Sequence, residues 1–178
     1  MWACEHAGIE PDILCVAKGF TAGILPMAAT LASERIFDGF RGSDERAFYY
    51  GHTYCGHPLG AAVAREVLAV YRDEAILRRA RPKAERLAAA LAAWANGPHV
   101  SEPRCLGMVA AFRVGAAPGY LGHAGRRVCD LALERGAYLR PLGDVVYLAP
   151  PLNIPEADLG ELIDIVTDSL DAAARHGA

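Results

Sequence analysis

Apolar residues fall in short unbroken runs near the start of the chain and at helical spacing further on. The run Ile13-Leu14-Cys15-Val16-Ala17, fenced by Pro11 and by Lys18-Gly19, is rich in apolar and β-branched residues and predicts a buried strand. Residues 27–32 predict a second buried strand, with Ser33 as N-cap of a short helix containing Ile36, Phe37 and Phe40. Residues 42–60 read as a loop broken by Gly51, Gly56 and Pro58 around a polar and aromatic cluster. Helical periodicity begins at Leu59 with Ala62, Val63, Val67, Leu68 and Val70. It resumes after Asp73 through Ile76, Leu77, Leu87, Leu91 and Trp94. Pro82 predicts a break or a new helix start within this second stretch.

The second half predicts a strand over residues 107–114 and a helix over 121–135, stopped by Gly136. Short strands follow over 137–140 and 145–148. After Pro150-Pro151, an amphipathic helix starts near Pro155, with Leu159, Leu162, Ile163, Val166 and Leu170 on one face and acidic residues at its positive end. An α/β piece thus precedes an α+β piece, with no repeat or low-complexity run.

Charge narrows the function classes. A formal net charge of −3, with Lys and Arg spread along the chain, supplies no basic stripe, so nucleic acid is not an expected partner. No apolar run reaches the roughly 20 residues that span a bilayer, and the first residues lack a charged and then apolar leader. A soluble, cytoplasmic protein without membrane contact is the expectation. The five cysteines are odd in number, scattered, and form no Cys-x-x-Cys pair, which points to reduced, small buried residues. An apolar content of 53% suggests that some surface is covered by a partner.

Three places could carry chemistry. Lys18 stands where a strand passes into a glycine-bearing loop, a position at which α/β sheets present ligand-contacting groups; taken alone, it is most simply a solvated strand-end charge. The loop His52-Thr53-Tyr54-Cys55-Gly56-His57 has two imidazoles and a thiol, but its spacings match no paired zinc pattern, so no metal is expected. The same loop could cradle a phosphate, with Gly51 allowing close backbone approach, Thr53 offering a hydroxyl and a helix N-terminus following near Pro58 and Leu59; an ordinary turn with a capping threonine is the equal alternative. Arg140 ends a predicted buried strand and could grip a carboxylate through two parallel hydrogen bonds, or make a surface ion pair. Tyr147 is most simply a packed strand tyrosine.

Taken together, Cys4 to Cys15, Lys18-Gly19-Phe20-Thr21-Ala22-Gly23 and Gly51-His52-Thr53-Tyr54-Cys55-Gly56-His57-Pro58-Leu59 resemble the class III, fold-type I pyridoxal-phosphate aminotransferases. The resemblance implies an α/β fold class: residues 1–72 as the end of a large cofactor-binding domain with the start of a connecting helix, and residues 73–178 as a small α+β domain. It implies pyridoxal 5'-phosphate as cofactor, with Lys18 as the catalytic lysine that bonds it, and His52 and Thr53 as cofactor-binding residues, the threonine holding the phosphate of a neighbouring subunit in a homodimer. The family has Asn where this chain has His57 and His where it has Tyr50.

Arg140-Pro141-Leu142-Gly143 followed by Val146-Tyr147-Leu148-Ala149-Pro150-Pro151 is similar to the biotin-biosynthesis branch of the family. That branch passes an amino group from S-adenosyl-L-methionine to 8-amino-7-oxononanoate. The likeness implies Gly51, Arg140 and Tyr147 as substrate-binding residues, with Arg140 on the substrate carboxylate. The family's glycine-serine phosphate loop, ring-stacking aromatic and pyridine-nitrogen aspartate find no counterpart before Trp2, so a fragment that is inactive alone is the expectation. The alternatives are another class III aminotransferase acting on an ω-amino acid or diamine, and a non-catalytic dimerisation or binding module.

Overall fold

A computed structural model describes residues 1–115 and 123–175. Contacts divide the chain into two units, Met1–Ala75 and Ile76–Ala178.

The first unit opens with a short helix, α1 (Ala3–Ala7), and the strand β1 (Ile13–Val16). A 3-10 turn over Lys18–Thr21 leads to β2 (Ala29–Ala32), which pairs antiparallel with β1 from Ile13↔Ala32 to Val16↔Ala29. Both strands were expected to be buried, and this is corrected: only Val16 is buried, while Ile13 and Leu31 are about half exposed at 52% and 51%. A continuous apolar run is the pattern of a strand covered on both faces. A two-stranded ribbon without a packed layer leaves both faces open. Ser33 precedes α2 (Glu34–Asp38) as expected, yet its hydroxyl donates to Asp12 Oδ1 at 3.0 Å instead of capping the helix. Phe40 lies beyond α2, with its ring centroid 5.4 Å from that of Phe48. The unit closes with α3 (Pro58–Asp73).

In the second unit, α4 (Ile76–Ala95) runs through Pro82 without the predicted break. The break lies earlier, where Ala75 takes a left-handed φ of 49° between α3 and α4. Four antiparallel strands follow in the order β3-β4-β6-β5, namely β3 (Val100–Leu106), β4 (Val109–Val114), β5 (Arg140–Leu142) and β6 (Val145–Leu148). Sequence reading found β4 and β6 but not β3, whose polar residues and Pro103 hide it. Pro103 is tolerated because β3 is an edge strand whose register slips between Ser101 and Arg104, where Glu102 has a φ of 50°. The strand expected over 137–140 is also corrected: β5 begins at Arg140 instead of ending there. β5 and β6 join through Gly143-Asp144, with Gly143 at φ 61°, the left-handed first position that a type II′ hairpin turn requires.

The helix α5 (Ala124–Glu134) falls inside the expected span, of which residues 121 and 122 lie outside the described ones. The last helix, α6 (Glu156–Arg175), begins as expected after Pro155. Alternate residues Ala110, Phe112 and Val114 of β4, with Val146 and Leu148 of β6, point into one core. Leu87, Leu91 and Trp94 from α4, Val128 and Cys129 from α5, and Val166 and Leu170 from α6 close it. Trp94 Nε1 donates to Thr167 Oγ1 at 2.8 Å, so the one polar atom of the ring is satisfied. Of the cysteines expected to be buried, only Cys129 is; Cys4 is half-buried and Cys15, Cys55 and Cys105 are exposed.

Candidate active site

Lys18 begins the 3-10 turn that follows β1, exposed and with a left-handed φ of 54°. That conformation costs a non-glycine residue on the order of 1 kcal/mol and is held by its surroundings. Ala17 before it is fully extended, the Phe20 N–H donates to the Ala17 carbonyl at 3.2 Å, and buried Thr21 donates its hydroxyl to the Leu25 carbonyl. The loop is therefore anchored on both sides of a lysine whose ammonium has no hydrogen-bond or ion-pair partner among the described residues.

Gly51, His52 and Thr53 lie in an exposed turn before α3. The Cys55 N–H donates to the His52 carbonyl at 2.9 Å, and the Tyr54 N–H donates to His52 Nδ1 at 3.1 Å, so the imidazole shapes the turn. The Thr53 hydroxyl has no partner among the described residues. The expectation that the start of α3 helps to cradle a phosphate needs correction. Pro58 has no N–H, and the Gly60 N–H is taken by His57 Nδ1 at 3.1 Å, so the helix end has little left to offer an anion. Beside this turn, a cavity of about 670 Å³ is lined by residues that include Met27, His52, Tyr54, Cys55 and His57, but neither Lys18 nor Thr53. Among the described residues no group of three or more His, Cys, Asp or Glu side chains could hold a metal ion.

In the second unit, Arg140 and Tyr147 are register partners across β5 and β6. Both line a cavity of about 680 Å³, together with Tyr138, Pro150, Pro151, Ile154, Asp158 and Glu161. Arg140 is exposed and has no ion-pair partner among the described residues, which leaves its guanidinium fork available. Asp158 and Glu161 on α6, and Arg135, which pairs with Asp168 at 3.7 Å, balance the charge of the walls. Recognition of a carboxylate here would rest on the directed fork of Arg140 more than on a net positive field. The sequence accounts for Asp158 only as an acidic residue at the positive end of α6 and carries no signal for its place, or that of Glu161, in this wall.

The pattern described as aminotransferase class III matches residues 1–170. The chain belongs to the class III aminotransferase family. It is 43% identical to the adenosylmethionine-8-amino-7-oxononanoate aminotransferase of Nitratidesulfovibrio vulgaris over 100% of this chain and 34% of that protein, and 39% identical to the one from Synechococcus elongatus over 96% and 40%. Among solved structures, the Methanocaldococcus jannaschii enzyme of the same name matches with a TM-score of 0.85 at 33% identity, covering 92% of this chain and 39% of that one. The omega transaminase from Pseudomonas jessenii in complex with PMP matches with a TM-score of 0.89 at 29% identity, covering 98% and 40%. The chain thus spans about a third to two-fifths of the length of these relatives, and its fold is that part of a fold-type I transaminase.

Class III aminotransferases depend on pyridoxal phosphate. The donor set on this chain fits that group: a primary amine on an anchored loop for its carbonyl carbon, and the uncommitted Thr53 hydroxyl for its phosphate.

Proposed function

We propose that this chain supplies the lysine and the carboxylate-binding arginine of a class III aminotransferase of biotin biosynthesis, which moves an amino group from S-adenosyl-L-methionine to 8-amino-7-oxononanoate. The observation that carries the choice of substrate is the Arg140–Tyr147 pair in the wall of a cavity, on a chain with relatives that carry that activity in their names. When bound, pyridoxal phosphate supplies the electron sink for a carbanion and stores the amino group between the two substrates. Lys18 Nζ is the group that would hold the cofactor, and its amine would serve as the general base and acid that takes and returns the substrate proton. Thr53 Oγ1 and the neighbouring backbone bind the phosphate of a second copy in a cytoplasmic homodimer, with His52 shaping the turn. Arg140 holds the carboxylate end of the oxononanoate, with Tyr147 beside it in the same wall.

In this reading, residues of this chain account for binding and proton transfer. The test is made in the enzyme that contains these residues. Lys18→Ala should abolish both the cofactor's visible absorbance and transamination, whereas Arg140→Ala should raise KM for oxononanoate and leave that for adenosylmethionine unchanged. Unaltered oxononanoate affinity in Arg140→Ala would overturn the substrate assignment. Activity with an ω-amino acid or diamine in its place would put the chain in another branch of the family.

A further inference from the structure

Among the described residues of the second unit, Lys83 is the buried cation, 6% exposed on the inward face of α4 between Ala80 and Leu87. An ammonium in such a position is costly unless its donors are met. Its partners are neutral: Nζ donates to the carbonyl of Leu152 at 2.7 Å and to that of Ile154 at 2.9 Å. Both carbonyls belong to the turn between β6 and α6, which is closed by the Ile154 N–H donating to the Pro151 carbonyl at 3.0 Å. One helical turn along α4, Arg86 Nη1 donates to the Glu156 carbonyl at 2.9 Å.

The composition of the turn explains why a lysine is used. Pro150, Pro151 and Pro155 have no N–H, so the segment has few backbone donors with which to fasten itself and must be held through its acceptors. Lysine is a donor-only side chain whose four-carbon stem can lie along the apolar face of a helix and carry three N–H bonds to its end. A hydrophobic residue at position 83 would fill the same space and leave two inward carbonyls unmet.

Pro150, Pro151 and Ile154 of this turn are also wall residues of the cavity that Arg140 and Tyr147 line. We propose that Lys83 is a positioning residue for carboxylate substrate binding: by clamping the Leu152 and Ile154 carbonyls it fixes the wall of the Arg140 cavity, and so sets affinity for the acceptor without touching it. This rests on the reading of Arg140 as the carboxylate anchor.

The experiment compares Lys83→Met, which keeps the volume and removes the donors, with Lys83→Gln, which keeps amide donors. Binding of 8-amino-7-oxononanoate to the 178-residue chain is measured by calorimetry, and amide exchange over residues 150–155 by mass spectrometry. In the enzyme that contains these residues, KM and kcat are measured for each half-reaction. Lys83→Met is expected to speed exchange in the turn and to weaken oxononanoate binding about tenfold, with KM for adenosylmethionine and kcat of its half-reaction unchanged, and Lys83→Gln to recover part of the loss. Equal losses in both half-reactions, or unchanged affinity with faster exchange, would overturn the proposal, and Lys83→Gln decides if Lys83→Met does not fold. Arg140→Ala separates the two readings. If it weakens binding while Lys83→Met does not, only the positioning role fails; if neither weakens binding, the carboxylate site itself fails.

Discussion

His57 Nδ1 accepts the Gly60 N–H at 3.1 Å, which makes the imidazole the N-cap of α3. Gly60 is the third residue of the helix, the position whose N–H an N-cap side chain ordinarily takes. The class III motif has asparagine here, and a carboxamide oxygen accepts the same bond. The departure of His57 from the family pattern therefore preserves the cap. His57→Asn should leave stability within about 0.5 kcal/mol of the parent, while His57→Ala should cost about 1 kcal/mol. Urea denaturation followed by circular dichroism measures both, and an alanine variant as stable as the parent would show that the cap contributes nothing.

Pro82 sits at the seventh position of the twenty-residue α4, exposed, where it can donate nothing to the carbonyl of Arg78. The buried positions Ile76, Ala80, Lys83, Leu87, Leu91 and Trp94 run past it at unbroken helical spacing, and their packing outweighs the local penalty. Pro82→Ala should therefore stabilise the second unit by about 1–3 kcal/mol. A thermal midpoint at or below that of the parent would contradict the explanation.

The same contest between local signal and packing marks what the sequence made legible. β6 and α6 were readable because an apolar, β-branched run in the one and an apolar stripe at helical spacing in the other agree with their burial in the core. β3 was not readable, since an edge strand needs no apolar alternation and can absorb Pro103 at a bulge. In the candidate site, motif likeness alone singles out Lys18 and Thr53, because nothing in the local chemistry separates Lys18 from a solvated charge. Lys83 was legible in principle: it falls on the apolar stripe of α4 where a charge is out of place. Its partners, two carbonyls some seventy residues away, leave no trace in side-chain chemistry.

Burial pushes the Cys129 thiol up to about 11, with the Asp130 carboxylate adding to the effect. The unfolded thiol titrates near 8.5, so between that value and about 11 the unfolded chain has lost a proton that the folded chain keeps. Stability should be unaffected by this group at neutral pH and should fall as pH rises through that window. Cys129→Ser should flatten that part of the stability profile. Because the thiolate is the reactive form, a thiol reagent at pH 8 should modify exposed Cys15 and Cys55 in the native chain, and Cys129 only on unfolding. Native labelling of Cys129 at the rate of Cys15 would contradict its burial.

Gly125 lies in the first turn of α5, where a Cβ would meet the Gly143 carbonyl oxygen at 2.5 Å and the Asp144 carbonyl carbon at 3.3 Å. Both obstacles are backbone of the β5–β6 turn, so no rotamer change can relieve them. The helix or the turn has to move. Gly125→Ala should destabilise the second unit by about 1–3 kcal/mol, seen as a lower urea midpoint at unchanged slope. Gly143 is three residues from Arg140 on the same hairpin, so a displaced turn should also shift the guanidinium and, under the proposed function, weaken oxononanoate binding. Gly125→Ser, with nearly the same clash, should reproduce both effects. Loss of stability with binding intact would show that α5 gives way and the hairpin stays, leaving the position of Arg140 to its pairing with Tyr147 on β6.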